Sequence, residues 1–334
     1  MSSAVFKLKI GMTYDLRNDY LKEGFTHEET AEFDLPDTIE AIEKVISDNG
    51  YQADRIGNIK ALTRRLAAGE RWDLVFNIAE GLAGFSREAQ VPALLEAYNI
   101  PYTFSDPLGM ALTLHKGVTK HIINDLGIPT PAFTVIKSEE EIAGVTLPFP
   151  LFAKPVAEGT GKGITAKSKI NTREQLRLIC REILKTFRQP VLLETYLPGR
   201  EFTVGILGTG KDARALGVME VILRPTAEKN AYSYENKENY VKLVQYVLVD
   251  DEEARRARDI SLAAWRGLDL KDAGRVDLRS DAHGLPNFME VNSLAGLNPV
   301  RSDLPILCNL LGITYHELIS SIIESALQRT DIKQ

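Results

Sequence analysis

The segment "GRVDLRSDAHGLPNFMEVN", residues 274–292, carries three oxygen donors and a guanidinium in a pattern that a hairpin would gather. Residues two apart share one face of a strand, so Glu290 and Asn292 point the same way, as do Arg275 and Asp277 on the preceding run. A turn between the runs would set Asp277 against Glu290 and Asn292. Two carboxylates and an amide oxygen suit Mg²⁺, with Mn²⁺ as a substitute, because such an ion takes few protein ligands and leaves places for phosphate oxygens. Arg275 beside it would steady a phosphoryl group or an oxyanion. The plainer reading is a solvated strand face closed by a salt bridge. By the same alternation Met289 and Val291 face the other way, towards a core.

Three further clusters have chemical potential, and each is weak alone. In "LFAKPVAEGTGKGITAK", Lys154 ends an apolar strand and a Gly-rich turn follows, including Thr160 and Gly161. Such a turn lets backbone N–H groups approach phosphate oxygens. It is neither GxxxxGK[ST] nor a GxGxxG opening a helix, and most Gly-rich hairpin loops are only turns. In "VLLETYLPGREFTVGIL", Glu194 ends one strand, Pro198-Gly199 turns, and Glu201 starts the next. Lys116, in "LTLHKGVTK", reads by itself as one lysine on a charged helix face.

The elements that must position these residues follow from periodicity. At 334 residues the chain exceeds one compact core. The first third alternates strand and helix: "VFKLKIGMTYD", the amphipathic "DTIEAIEKVISDNG" with Asp37 as N-cap, "DLVFNIAEG", "REAQVPALLEAYNIP" and a short strand "PYTFSD". That order predicts a parallel sheet with crossover helices. From residue 106, one or two helices run to Gly127. The strand-like runs "AFTVIKS", "FPLFAKPVAEG", "GITAKSKI" and "PVLLETYL" follow, with a helix opened at Asn171 between the last two, an α+β block of antiparallel character. Two strands, a polar Tyr-rich loop, a charged helix, the hairpin and a last helix complete the chain.

Composition bounds the partners. Lys plus Arg number 40 against 46 Asp plus Glu, a net charge of −6, which opposes a sequence-independent nucleic-acid binder. Cys180 and Cys308 lie far apart in apolar helical patterns, as buried free thiols of a reducing compartment do. The N-terminus lacks a leader's apolar run, and no stretch approaches the roughly 20 apolar residues of a membrane span. A cytoplasmic protein without nucleic-acid or membrane partners is expected.

Together the clusters, in their order and spacing, resemble the ATP-grasp superfamily, most closely the D-alanine–D-alanine ligase family. The resemblance covers nearly the whole chain and is strongest from Lys116 to Pro305. It implies an α/β N-terminal domain with a parallel sheet (1–112) and two α+β subdomains (113–198 and 199–330) that sandwich ATP. It matches Lys116 and Lys154 to the phosphate-holding lysines, and "EGTGKG" with Thr160 and Gly161 to the phosphate-covering loop. "ETYLPGREF" resembles the adenine hinge near Glu194, Tyr196 and Leu197, with Glu201 on the ribose and Met289 added to the nucleotide site. "YSYENKE" resembles the closing loop, with Lys237 facing phosphate. Arg275, Asp277, Glu290 and Asn292 match the family's arginine and metal ligands, and Gly296 its oxyanion-binding backbone. The activity implied is ATP- and Mg²⁺-dependent joining of a carboxylate to an amine through an acyl phosphate. The substrates implied are amino-acid-like or peptide-like, and dimers through the N-terminal region are common in the family.

The departures fall on the substrate side. Glu80 stands where the ligases have a histidine, and Phe85-Ser86-Arg87 replaces a Glu-Asp-Gly element. Asp15 is the nearest counterpart of the ammonium-holding glutamate, and Glu238 replaces the lid tyrosine. "GLNPVRSDLP" adds Arg301 and Asp303 and keeps Ser302 for a substrate carboxylate. Glu80 would favour a cationic group, Arg87 or Arg301 an anionic one, unless these residues pair with each other. A ligase of different specificity is therefore expected. The competing readings are D-alanine–D-alanine ligase itself, a nucleotide-binding module without ligation, and an ATP-grasp kinase or carboxylase.

Overall fold

The computed structural model describes residues 8–227 and 240–330. Its sheets follow the chain in three blocks. The first is parallel, in the order β2-β1-β3, formed by β1 (Lys9–Tyr14), β2 (Gln52–Gly57) and β3 (Leu74–Ile78). After β1 comes the short α1 (Arg17–Lys22), then the crossover α2 (Pro36–Asp48); α3 (Ile59–Ala67) links β2 to β3. Every residue of β3 is buried, as a central parallel strand covered on both faces requires. The expected strand at "PYTFSD" contributes only a single bridge, Tyr102 to Val75. Pro92 does sit in the first turn of α4 (Gln90–Ala97), where its missing N–H costs nothing.

Two helices then lead into the site, α5 (Pro107–Leu114) and α6 (Lys116–Asp125), broken at His115. The second sheet is antiparallel, in the order β4-β7-β5-β6, from β4 (Phe133–Ile136), β5 (Leu151–Pro155), β6 (Lys169–Ile170) and β7 (Val191–Thr195). The strand expected at "GITAKSKI" shrinks to those two residues of β6, because a 3₁₀ turn over Ala166–Ser168 precedes them. Helix α7 (Arg173–Phe187) covers this sheet with Leu176, Cys180 and Ile183. The third sheet runs β10-β9-β8-β11-β12, from β8 (Glu201–Leu207), β9 (Arg214–Leu223), β10 (Val244–Leu248), β11 (Ala273–Ser280) and β12 (Pro286–Asn292). Helix α8 (Glu252–Gly267) packs Trp265 against it, so closely that a Cβ on Gly274 would lie 2.6 Å from the indole.

Two expected helix caps differ. Leu35 is the N-cap of α2, with Pro36 at its first position; Asp37 lies inside the first turn and pairs with Arg301 at 2.8 Å. Thr172, not Asn171, caps α7 and accepts from Gln175 N–H. In both cases the N-cap lies one residue or more from the expected position, and only Thr172 caps with its side chain.

The last helices, α9 (Asp303–Leu310) and α10 (Tyr315–Arg329), leave the third sheet and return to the first domain. Ile319, Ile322 and Ile323 join Ile39, Ile42 and Ile46 in one core. Asp272, fully buried, locks this return. It accepts from Phe104 N–H at 2.7 Å, Ser325 Oγ at 2.8 Å and the Arg329 guanidinium at 3.0 Å. Removing one partner of such a buried pair strands the other's charge. Asp272→Ala should therefore lower unfolding stability by about 3–5 kcal/mol, read as a fall in the urea midpoint. A midpoint equal to wild type would mean that the contact adds no net stability.

Candidate active site

The hairpin forms as the spacing requires. Strands β11 and β12 pair Arg275 with Asn292 and Asp277 with Glu290. The register then shifts, Leu278 opposing Phe288, so that Met289 is the extra residue of a β-bulge. A bulge re-aims side chains. Met289, which alternation alone would turn towards a core but which the resemblance adds to the nucleotide site, lines a cavity together with Glu290 and Leu278. Asp277 is fixed by Thr203 Oγ1 at 2.9 Å, Arg275 Nη1 at 2.5 Å and Asn292 Nδ2 at 3.2 Å. Arg275 also reaches Asp303 at 3.3 Å, and Asp303 is buried at the start of α9.

Glu290 sits at a junction, since it lines two cavities. The first holds Phe152, Lys154, Gly161, Tyr196, Leu197 and Glu201. Ile164, Leu278 and Met289 give it an apolar wall, and Asp277 and Arg279 line it too; Arg279 pairs with Glu201 at 3.5 Å, and Arg279 and Lys169 stack on Tyr196, with Lys169 Nζ 4.0 Å from the ring centre. The second cavity holds Lys116, Thr160, Arg275, Asn292, Gly296 and Ser302 on one side. Ser302 Oγ accepts from Asn298 N–H at 3.0 Å and crowds Gly296, where a Cβ would lie 2.8 Å from it.

The two lysines approach Glu290 from different elements. Lys116 begins α6 and Lys154 lies in β5; each ammonium is 3.7 Å from Glu290. Lys116 also donates to the Glu158 carbonyl at 2.6 Å, tying α6 to the Gly-rich loop. In that loop Thr160 takes φ +52°, a left-handed conformation that is strained for a β-branched residue. Gly159 approaches Glu32 so closely that a Cβ would lie 2.2 Å from Oε1. Lys162 lies 3.6 Å from the same carboxylate.

Glu194 was expected near an adenine hinge. Its neighbours Tyr196 and Leu197 line the first cavity, but its side chain turns inward and is fully buried between Lys120, at 2.5 Å, and Lys154, at 3.1 Å. Burial would raise the Glu194 carboxyl, yet the two ammonium groups outweigh it and hold the pKa below its ordinary range. Burial pushes Lys120 down to about 8 despite Glu194. Lys154 is held above its ordinary value, because Glu194 and Glu290 outweigh its burial.

Four acids, Glu32, Asp34, Glu80 and Glu88, also line the second cavity, with Arg17 near Asp34. Burial, reinforced by Glu88 and Glu32, pushes Glu80 well above the carboxylate range. Burial raises Glu88 to about 7, and burial with the nearby Asp15 raises Asp34 to about 7. Glu32 is lowered instead, because Arg87 at 3.0 Å and Lys162 overcome its burial.

Several expected substrate residues are placed elsewhere. Arg87 is buried; it pairs with Glu32 and donates to the Ala157 carbonyl at 2.9 Å, so it braces the Gly-rich loop. Asp15 is buried and accepts from Tyr20 Oη at 2.5 Å and from Gly81 N–H at 2.9 Å, holding the turn after Glu80. Arg301 lines the cavity but spends its guanidinium on Asp37. Lys237 and Glu238 lie outside the described residues. Sequence reasoning missed Lys120, Glu32, Asp34 and Glu88. Lys120 had a signal, since it lies four residues after Lys116 on the same helical face. The acids had none, because only the tertiary fold gathers them.

Among the described residues no three His, Cys, Asp or Glu side chains gather as a metal cage. Asp277 and Glu290, directly opposed, with the oxygen of Asn292, make an all-oxygen set of the kind that serves a metal sharing its shell with phosphates.

Residues 122–324 match the family model for the D-ala D-ala ligase C-terminus. The chain is 33% identical over 289 residues to a D-alanine–D-alanine ligase of Aquifex aeolicus, covering 86% of this chain and 93% of that one. The chain belongs to the D-alanine–D-alanine ligase family. It is 34% identical to the uncharacterised protein y4sG of Sinorhizobium fredii over 77% of this chain and 75% of that one. The structure of a D-alanine–D-alanine ligase from Bacillus anthracis complexed with ATP superposes with a TM-score of 0.72 at 23% identity, covering 97% of this chain and 99% of that one. VanG, a D-Ala:D-Ser ligase of Enterococcus faecalis, gives 0.72 at 20% identity over 96% of this chain and 99% of that one. The fold is therefore ATP-grasp, and the class is that of ATP-dependent carbon–nitrogen ligases.

The raised acids have a stability consequence. A carboxyl whose folded-state pKa is raised binds its proton more tightly when folded, so its contribution is present at low pH and is lost as pH rises from about 4 to about 7. The unliganded protein should melt at a falling temperature as pH goes from 5.5 to 7.5. Asp34→Asn should flatten that slope. Identical slopes in the two proteins would remove Asp34 from this set.

Proposed function

We propose that the protein is an ATP- and Mg²⁺-dependent carboxylate–amine ligase whose carboxylate or amine substrate differs from D-alanine. The observation that carries this reading is the position of Glu290, shared between a cavity lined by Lys154, Tyr196, Leu197 and Met289 and a second cavity lined by Lys116, Arg275 and acids. Nucleotide in the first and substrates in the second would meet there. Tyr196, Leu197 and Met289 would hold the adenine, Glu201 the ribose, and Lys116, Lys154 and the loop at Thr160 and Gly161 the phosphates. Asp277, Glu290 and Asn292 would hold the metal, Mg²⁺ or Mn²⁺, which neutralises phosphate charge when bound.

The chemistry follows from leaving groups. A carboxylate does not condense with an amine, because oxide is a poor leaving group. A carboxylate oxygen attacks the γ-phosphorus, and the bond to the bridging oxygen breaks, releasing ADP. The amine then attacks the acyl carbon, loses a proton, and phosphate departs. The chain's work is positioning and charge neutralisation. Arg275 would steady the transferred group, and backbone N–H groups around Gly296 the tetrahedral oxyanion. Ser302 would grip a substrate carboxylate. An acyl phosphate hydrolyses if water enters, so the Gly-rich loop over Lys116 and Glu32 has a protective role.

Glu80, with Glu88 and Asp34, gives the second cavity a carboxyl-lined wall suited to a cationic substrate group, since an ammonium there would return these raised acids to their ionised forms. The reading places the reaction in the cytoplasm, where ATP is supplied; no single helix among the described residues is long and apolar enough to cross a membrane.

Phosphate release from ATP and Mg²⁺ across single amino acids and pairs of both stereochemical forms, with mass detection, tests the reading. A pair that releases phosphate and yields its summed mass less water is expected, with at least one basic member. D-alanine alone working as well would reject the altered specificity. Glu290→Gln should cut metal-dependent turnover by about 10²-fold or more while the circular dichroism spectrum is kept. Normal turnover by that variant would remove Glu290 from the metal site.

A further inference from the structure

Lys120 touches neither cavity, yet its fully buried ammonium makes three contacts on separate elements. It meets Glu194 of β7 at 2.5 Å, Thr130 Oγ1 at 2.6 Å and the Phe288 carbonyl of β12 at 3.2 Å. We infer that Lys120 is a positioning residue for nucleotide phosphate, acting through Lys154. The inference rests on the proposed nucleotide site.

The argument is one of shared charge. Glu194 is completely buried and ionised, so it must be neutralised by what surrounds it. Two lysines meet it, and Lys120 is the nearer, at 2.5 Å against 3.1 Å for Lys154. With Lys120 holding most of that charge, Lys154 keeps a surplus to direct at Glu290, 3.7 Å away, and at anything bound beside it. Without Lys120, Lys154 is the sole cation left against Glu194 among the described residues, and the interior would hold it there. The Phe288 contact adds a second effect, since it pins β12 two residues before Glu290. An ordinary structural lysine would explain a loss of stability alone. This arrangement predicts a loss specific to phosphate.

The test compares affinities for ATP with Mg²⁺ and for adenosine, which has no phosphates, in the full-length protein. Lys120→Met should weaken ATP by about tenfold or more and leave adenosine within about twofold. Lys120→Met combined with Glu194→Gln removes both charges, frees Lys154, and should recover most of the lost ATP affinity. That double variant leaves no stranded buried charge, so it also serves if Lys120→Met alone does not fold. Parallel loss of ATP and adenosine would overturn the inference, as would a folded Lys120→Met with wild-type ATP affinity. A double variant that binds adenosine but not ATP would overturn it too. If the wild-type protein binds adenosine and ATP equally, or neither, the nucleotide reading itself fails and this inference with it.

Discussion

The site depends on keeping charges apart from water without leaving any of them alone. Lys120 and Glu194 are fully buried, Lys154 and Lys116 nearly so, and Glu290 bridges the last two. An isolated ion in such surroundings would cost several kcal/mol, and it survives only if opposite charges surround it. Alternation of sign along Lys120, Glu194, Lys154, Glu290 and Lys116 meets that demand with one positive charge in excess. The excess faces the cavities. A trianionic or tetra-anionic phosphate chain is the kind of ligand that such an excess can receive, because the protein has already met the desolvation cost of its own groups.

That constraint also explains the fold's division of labour. The five charges come from α6, β5, β7 and β12, the three strands belonging to two different sheets. No local segment could hold them together. The closing sheet pair does, aided by the return of the last two helices onto the first domain through Asp272.

Legibility in the sequence followed the range of the interaction. Period-two alternation placed Arg275, Asp277, Glu290 and Asn292 on one hairpin face, since strand geometry is local. The alternating strands and helices of the first third predicted a parallel sheet for the same reason. Met289 escaped that logic because a bulge is decided by how two strands meet. Asp37 and Asn171 were misplaced as caps because the entry angle of the chain, not the residue type, chooses the cap. The inward turn of Glu194 and the pairing of Arg87 with Glu32 were invisible, since each partner lies tens of residues away. What remained readable beyond local geometry came from the resemblance to a family, which carries tertiary information that one sequence does not.

The two halves of the site differ in how far that family pattern reaches. On the proposed reading, the nucleotide half keeps Lys116, Lys154, Arg275 and the oxygen donors Asp277, Glu290 and Asn292 that the resemblance implies. The half proposed for substrates gathers Glu32, Asp34, Glu80 and Glu88, and it is not independent of the nucleotide half. Glu32 closes against Gly159 and meets Arg87 and Lys162, so the Gly-rich loop in this position offsets one acid of the substrate wall. For Glu80 and Glu88, burial and the neighbouring acids outweigh the attraction of Arg87, and of Lys116 on Glu88, and drive them towards the neutral form. A substrate ammonium entering there would lower both pKa values and gain the attraction of ionised carboxylates only once water is excluded. On the proposed reading, the loop that would shield an acyl phosphate is also the one that completes the wall. Selectivity for a cationic substrate and protection of an activated carboxylate would then be two consequences of one closed contact.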